Sequence, residues 1–435
     1  MKNCIVGAGV HGLSTAWHLA RKLKSRGRGS GDNILVLDKT GVVAGASGIA
    51  CGIVRNNYLQ PAMGDVMRIS VEIWEACAES LHYKPVGYLC VASELQTDDP
   101  QTTAERHKAL GYRATLVRGE RATFDYMRRI FPDWQAHGLT VCLHEHQGGF
   151  AFNKESMFGL ADKAKAEGVR IQAGVTVTGF DISDADGSVS RVNTDQGGID
   201  VEQVVVAVGP WIEQLRALLD LPEKVDVRTN GGLEKDLQMW TYWQLQEGEI
   251  DVDPQSFQTA DGKTSPVIHV DSIEPLVSDR SGKPITEELW GIYFKQDRAG
   301  VQGGAVPIRL GHAAQVDPYG PDSPLYTVGD DFADYWTAGL AHCLKHFEGK
   351  ISTYKKAATG GIGCFTVDSF PVFDAMRPNV YVIADSNHGY KMLGIGREVA
   401  RVLAGEHSDV LHPFRYSRFA EGDLHPTSSG PFPWQ

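Results

Sequence analysis

The segment Cys4-Ile5-Val6-Gly7-Ala8-Gly9-Val10-His11-Gly12 constrains this chain more than any other. A short apolar run meets Gly-x-Gly-x-x-Gly. Apolar residues then recur at Leu13, Ala16, Trp17, Leu19, Ala20 and Leu23, the spacing of one helix face. The Gly-, Ser- and Arg-rich stretch from Ser25 to Gly31 ends that helix. Ile34-Leu35-Val36-Leu37-Asp38 follows as an apolar run closed by an acid, as expected of a parallel strand covered on both faces. The order strand, glycine turn, helix, strand is that of a nucleotide-binding unit. Glycine spares the turn a Cβ and lets the backbone approach a pyrophosphate. The helix N-terminus adds N–H donors and partial positive charge. Asp38 stands where a carboxylate accepts hydrogen bonds from ribose hydroxyls, which disfavours a ribose phosphate and so NADP.

The bulk numbers leave room for such a unit and exclude some alternatives. A chain of 435 residues suggests two domains or one large composite domain. At 42% hydrophobic and 22% charged, it has ample material for a core. The formal net charge of -12 argues against a nucleic-acid partner. No apolar run is long enough to span a membrane. A strand entered straight after Met1-Lys2-Asn3 leaves no room for a signal peptide, so a cytoplasmic location is expected. Seven scattered cysteines without a CxxC pair fit a reducing compartment and no disulfide framework. His144-x-His146, the one metal-like pair, reads as structural, so no metal is expected.

Further along, Val86 to Ala92 reads as a strand, Met157 to Glu167 as a helix, and Val169-Arg170-Ile171 and Val201 to Val208 as strands. Between Val225 and Tyr335 the texture changes. Aromatics cluster at Met239-Trp240-Thr241-Tyr242-Trp243, and turn residues crowd Asp251 to Lys283. Strand candidates there are Val267 to Val270, Leu289 to Phe294 and Val306 to Leu310. That pattern predicts an antiparallel sheet inserted into the nucleotide domain. The chain then returns with a buried strand, Val380 to Ala384, and a helix, Ile395 to Leu403.

Four stretches carry a resemblance: the glycine turn with Asp38; Ala44 to Tyr58; Gly361 to Pro371; and Asp385-Ser386-Asn387-His388-Gly389-Tyr390-Lys391. In this order the chain resembles the FAD-dependent D-amino-acid-oxidase superfamily, and within it the sarcosine oxidase and dimethylglycine dehydrogenase group. The likeness is weakest from Gln246 to Lys283, which reads as an insertion. The implied fold is α/β plus β: a Rossmann-like, glutathione-reductase-type FAD-binding domain (1–80, 148–224, 340–435) with an inserted, mainly antiparallel substrate domain (81–147, 225–339). The implied cofactor residues are Gly7, Gly9 and Gly12 at the pyrophosphate, Asp38 and Lys39 at the ribose, Ser47 and Gly48 along the pyrophosphate and ribityl chain, and Val175 by the adenine. Gly209, Trp211, Gly361, Gly389, Tyr390 and Lys391 complete the cofactor set.

The resemblance also implies substrate residues. Arg55, in Ile53-Val54-Arg55-Asn56-Asn57-Tyr58, and Lys391, in Asn387-His388-Gly389-Tyr390-Lys391, match the pair that holds the substrate carboxylate in sarcosine oxidases. A small amino-acid anion needs cationic donors, and Arg offers a planar fork while Lys offers a mobile point charge. His388 is a candidate to orient the amine or relay a proton. Pro307-Ile308-Arg309-Leu310-Gly311 puts Arg309 where sarcosine-type oxidases carry an oxygen-activating lysine. Gly361 falls where monomeric sarcosine oxidase attaches its flavin through cysteine, and Ala50-Cys51 offers no histidine for the dehydrogenase type of linkage, so noncovalent FAD is expected.

The implied activity is oxidation of the C–N bond of a small secondary or tertiary, N-methyl amino acid to an iminium that water hydrolyses. Dioxygen or another redox protein is the expected electron acceptor. Three rivals remain open at this stage: an oxidoreductase for a 2-hydroxy acid or primary amino acid, the FAD-bearing subunit of a hetero-oligomeric amine dehydrogenase, and a nicotinamide enzyme using only the first βαβ unit.

Overall fold

The computed structural model describes residues 2–312, 328–355, 361–385 and 388–432; Ser386 and Asn387 of the stretch quoted above lie outside them. Among the described residues, Asn3–Val6 lies inside a six-stranded sheet. The order is Val372–Arg377, Val380–Ala384, Gln203–Val206, Asn3–Val6, Ile34–Asp38, Arg170–Ala173. Neighbours run parallel except the edge pair of Val372–Arg377 with Val380–Ala384.

Alternation along each strand decides which face a residue serves. Ile5, Val36, Val205 and Ile383 enter a core shared with helices Val10–Ser25, Pro61–Ala76, Asn153–Ala166 and Leu393–Leu403. Cys4, Val6, Leu35, Leu37, Val204 and Val206 enter a second core, covered by the meander Val177–Ile182, Val189–Thr194, Gly197–Asp200. The helices Val10–Ser25 and Leu393–Leu403 cross closely because Gly396 has no side chain: a Cβ there would lie 2.4 Å from the Ser14 carbonyl carbon. No helix among the described residues is long and apolar enough to cross a membrane.

The second sheet has nine strands. Eight lie in the order Tyr354–Lys355, Thr241–Ile250, Gly300–Gly311, Trp290–Asp297, Val267–Ser272, Tyr88–Ala92, Val141–Glu145, Ala114–Arg118, and Ile362–Phe365 also pairs with Thr241–Ile250. Every pairing is antiparallel except Val267–Ser272 with Tyr88–Ala92. The expected α/β unit with a mainly antiparallel second sheet is therefore present. Within the stretch from Gln246 to Lys283, Val267–Ser272 is buried throughout in the middle of the sheet, between flanks that are mostly exposed. Helix Asp330–Cys343 and strands Tyr354–Lys355 and Ile362–Phe365 also pack on or pair within this sheet.

Glycines inside Gly300–Gly311 normally weaken a strand. Here a Cβ on Gly304 would lie 2.4 Å from the Tyr293 phenol oxygen, so the missing side chain makes room for that ring. A small sheet of Ile53–Val54, Gly149–Ala151 and Tyr83–Lys84 leads directly into Arg55.

Candidate active site

One cavity, about 1790 Å³ of empty space including its open mouth, runs from the glycine turn to the larger sheet. At the near end each glycine has a distinct job. Gly7 has φ of +107°, and a Cβ there would meet the Ala207 carbonyl oxygen at 2.2 Å. A Cβ on Gly12 would lie 1.9 Å from the Gly7 carbonyl oxygen, so Gly12 lets the helix seat against the turn. Gly9 is different: a Cβ would meet only Ser47 Oγ, at 3.3 Å, on the cavity side. That is the open backbone a pyrophosphate needs.

Asp38 is a busier residue than the sequence suggests. Its carboxylate accepts from the Ala8 N–H at 2.8 Å, the Thr40 N–H at 2.9 Å and the Gly41 N–H at 2.7 Å. It ties the glycine turn to the loop after the second strand. Of its roughly four acceptor positions, these three donors use three, and the residue also lines the cavity. Ser47 Oγ accepts from the Val10 N–H at 3.1 Å and so takes one helix N-terminal donor. Gly48 serves packing, since a Cβ would strike the Val43 carbonyl oxygen at 1.9 Å; its own carbonyl accepts from Asn153. Val175, Gly209 and Trp211 line the cavity, and Lys39 Nζ sits 4.5 Å from the Trp211 ring centre. An elongated cavity with bare backbone at a helix start, an acid at a strand end and an aromatic wall fits FAD.

At the far end, Arg55 is buried. Its guanidinium lies 4.4 Å from the Tyr58 ring centre and 5.6 Å from that of Tyr88, within cation–π range of both, and donates to the Asn57 carbonyl. Burial works against its charge. Tyr58, Tyr88 and Glu145 outweigh that and leave its pKa raised. Lys391 follows Gly389 and Tyr390 in a single turn ahead of helix Leu393–Leu403, and its Nζ donates to Tyr58 Oη at 3.0 Å. Arg55 and Lys391, 336 residues apart in the chain, thus meet on one phenol, and both line the cavity. Tyr390 lines it too; its hydroxyl bonds Ser156 and its ring stacks on Trp74. At the start of that helix the Gly394 N–H is capped by Ser70 Oγ at 3.0 Å.

Four residues of this end were missed from sequence: Tyr88, Glu247, His269 and Tyr293, each from a different strand of the larger sheet. Tyr88 Oη bonds His269 Nδ1 at 2.6 Å, and His269 Nε2 bonds Asp271 Oδ1 at 2.9 Å. Asp271 as acceptor puts the ring proton on Nε2, so Nδ1 accepts from the phenol. A signal for this existed. His269 and Asp271 are polar residues at i and i+2 in an apolar run, a spacing that puts both on one face of the strand. Glu247 accepts from the Cys51 N–H and the Tyr293 hydroxyl, each at 3.2 Å, and burial pushes its carboxyl up to about 7.

Of the expected site residues, Gly12, Gly48, Arg309, His388 and Gly361 do not line the cavity. Arg309 is exposed and does not line the cavity. Register shifts between Tyr242 and Trp243 and between Gln244 and Gln246 re-aim the strand pair that carries it. His388 is buried outside the lining: its ring stacks on Phe370 at 5.2 Å and its N–H caps Asp385 Oδ1 at 3.2 Å. Gly361 also lies off the lining and accepts from the Leu245 N–H at 2.9 Å, which starts the pairing of Ile362–Phe365. His144 and His146 bond Tyr126 and Thr115, and no metal-holding cluster exists among the described residues. All seven cysteines are free.

Residues 2–402 match the family model described as FAD dependent oxidoreductase. A curated relative, sarcosine oxidase subunit beta of Rhizobium meliloti (strain 1021), is 27% identical over 221 residues, which cover 50% of this chain and 51% of the relative. The chain spans about half the length of the curated relatives it matches. Among solved structures, L-proline dehydrogenase from P. horikoshii aligns with a TM-score of 0.73 at 19% identity, over 97% of this chain and 98% of that one. Glycine oxidase from Geobacillus kaustophilus aligns with a TM-score of 0.67 at 18% identity, over 96% and 98%. At these identities the structural likeness speaks to fold.

Proposed function

We propose that this chain, which belongs to the FAD dependent oxidoreductase family, oxidises the C–N bond of a small secondary or tertiary amino acid carrying an N-methyl group. The product is an iminium, which water hydrolyses with loss of the methyl group as formaldehyde. The observation that carries the reading is the meeting of Arg55 and Lys391 on Tyr58 in the cavity that starts at the glycine turn.

Gly9, Asp38 and Tyr390 line one cavity and would hold FAD, which when bound would supply the acceptor for the electron pair. The chain's residues do the rest. Arg55 grips the substrate carboxylate through its fork and Lys391, bound to the Tyr58 hydroxyl, adds a second charge. Fixing the acid end fixes the nitrogen and the C–H of its N-methyl group, which makes the reaction effectively unimolecular. The amine must be unprotonated when it reacts, and two nearby cations favour loss of its proton. Tyr88 and Tyr293 line the site, and Tyr58 is buried behind it against Arg55 and Lys391. Burial holds the Cys51 and Cys364 thiols far above their ordinary pKa, which suppresses thiolate and supports noncovalent FAD.

The test is the visible spectrum of the purified protein before and after anaerobic addition of sarcosine, dimethylglycine and larger N-methyl amino acids. Bleaching by amines and none by 2-hydroxy acids supports the reading; bleaching by hydroxy acids alone overturns it. A second reading, an FAD-bearing subunit of a hetero-oligomer, is favoured by the relatives named sarcosine oxidase subunit beta. Yellow protein that stays inert in dye-linked assays with every amine would move the balance to it.

A further inference from the structure

We propose that Glu247 is the residue that receives the amine end of the substrate: its carboxylate accepts an N–H of the bound amino acid and takes the ammonium proton before the C–N bond is oxidised. This rests on the reading of Arg55 and Lys391 given above and deepens it.

The argument begins with a missing counter-charge. Glu247 is 6% exposed, on strand Thr241–Ile250, and lines the cavity. Its described donors are neutral: the Cys51 N–H at 3.2 Å, the Tyr293 hydroxyl at 3.2 Å and the Gln302 amide at 3.4 Å. It forms no ion pair among the described residues. Lys295, the cation that acts on it electrostatically, is itself bound to Asp297 at 3.0 Å and lies over the Phe150 ring. A buried carboxylate without a cation is costly, and such groups normally pair or stay protonated. Glu247 shows that tension. Burial pushes its carboxyl up to about 7 and Asp297 adds to the rise, while Tyr293, Lys295 and the Cys51 N–H pull it back. At neutral pH it is poised to gain a proton or a cationic partner.

The cavity supplies the complement. Its two substrate-facing cations, Arg55 and Lys391, gather at Tyr58, and its unpaired anion lies on the Tyr293 side. The two ends belong to one short segment, since Cys51 donates its N–H to Glu247 and Arg55 follows four residues later, within about 14 Å of extended chain. Tyr88 stands under the Arg55 guanidinium and acts electrostatically on Tyr293, linking the two sides. A zwitterion carries the matching pattern, acid at one end and ammonium at the other. The proton ledger closes: R2NH2+ and the carboxylate become R2NH and the carboxylic acid. The free amine can then lose hydride from its N-methyl carbon to become the iminium, with bound FAD as the two-electron acceptor it would need.

The test compares two ligands of one shape on FAD-loaded protein: N-methylglycine, and methoxyacetate, which keeps the acid and replaces the amine by an ether. Binding is read from perturbation of the flavin spectrum for methoxyacetate and from the concentration dependence of anaerobic bleaching for N-methylglycine. Glu247→Gln keeps an acceptor for the Cys51 N–H and the Tyr293 hydroxyl. It is expected to weaken N-methylglycine about tenfold or more and to leave methoxyacetate within about twofold. The bleaching rate of the wild type should fall on the acid side of neutrality, and the variant should lose that limb. Equal weakening of both ligands, or an unchanged acid limb, overturns the role of Glu247. Arg55→Lys tests the parent reading separately, because it should weaken both ligands; if it weakens neither, the carboxylate anchor fails whatever Glu247 does. A wild type that no N-methyl amino acid bleaches overturns both.

Discussion

Glu145 offers a test of the electrostatics around Arg55 that does not involve catalysis. It ends strand Val141–Glu145, is fully buried, and accepts from the Asn56 N–H at 2.7 Å and the Tyr112 hydroxyl at 3.0 Å. Burial pushes its carboxyl from the ordinary 4.5 up to about 7, although the Asn56 N–H, Tyr112 and Arg55 pull it back. The folded protein therefore binds this proton more tightly than the unfolded chain. The associated stability is present in full below pH 4.5 and is lost as pH rises through 7. A rise of that size corresponds to about 3 kcal/mol of ionisation cost in the fold. Glu145→Gln retains an acceptor for the Asn56 N–H and removes the titration. Urea unfolding of FAD-saturated protein at pH 5 and pH 8 gives the comparison, with wild type losing about 3 kcal/mol more than the variant across the window. Glu247 titrates in the same range but is common to both proteins, and Glu145 does not line the cavity, so the difference isolates one group. Parallel stability curves would refute the reasoning.

Gly12→Ala places a methyl 1.9 Å from the Gly7 carbonyl oxygen and should yield protein with little or no bound flavin, read from its absorbance ratio. Arg309→Ala removes an exposed side chain off the cavity, and should leave flavin content and amine oxidation unchanged and stability within about 0.5 kcal/mol. Arg55→Lys keeps the charge but loses the fork, so KM for the amino acid should rise roughly tenfold to hundredfold with the flavin spectrum unaltered.

The parts of the site legible in the sequence are the local ones. Gly7, Gly9, Gly12 and Asp38 lie within one βαβ unit, whose strand, turn and helix each follow from short-range pattern. Arg55 and Tyr58 share one short matching stretch and Lys391 stands in another, while their meeting is set by the fold. Tyr88, Glu247, His269 and Tyr293 come from four strands whose pairing spans up to about 180 residues of sequence, and that pairing sets which side chains share a face. Arg309 shows the converse: a matching pentapeptide located the strand, but register shifts decide where its side chains point. Asp38 was read as a ribose ligand, and the three backbone donors that it also satisfies became visible only with the loop in place.

The central claim is tested most directly by a crystal structure of the FAD-loaded protein with methoxyacetate. The account predicts the dinucleotide along the Gly7 to Gly12 turn and the ligand carboxylate about 3 Å from both the Arg55 guanidinium and Lys391 Nζ. A carboxylate seated away from that pair, or a flavin whose ring lies outside the cavity they line, would contradict it.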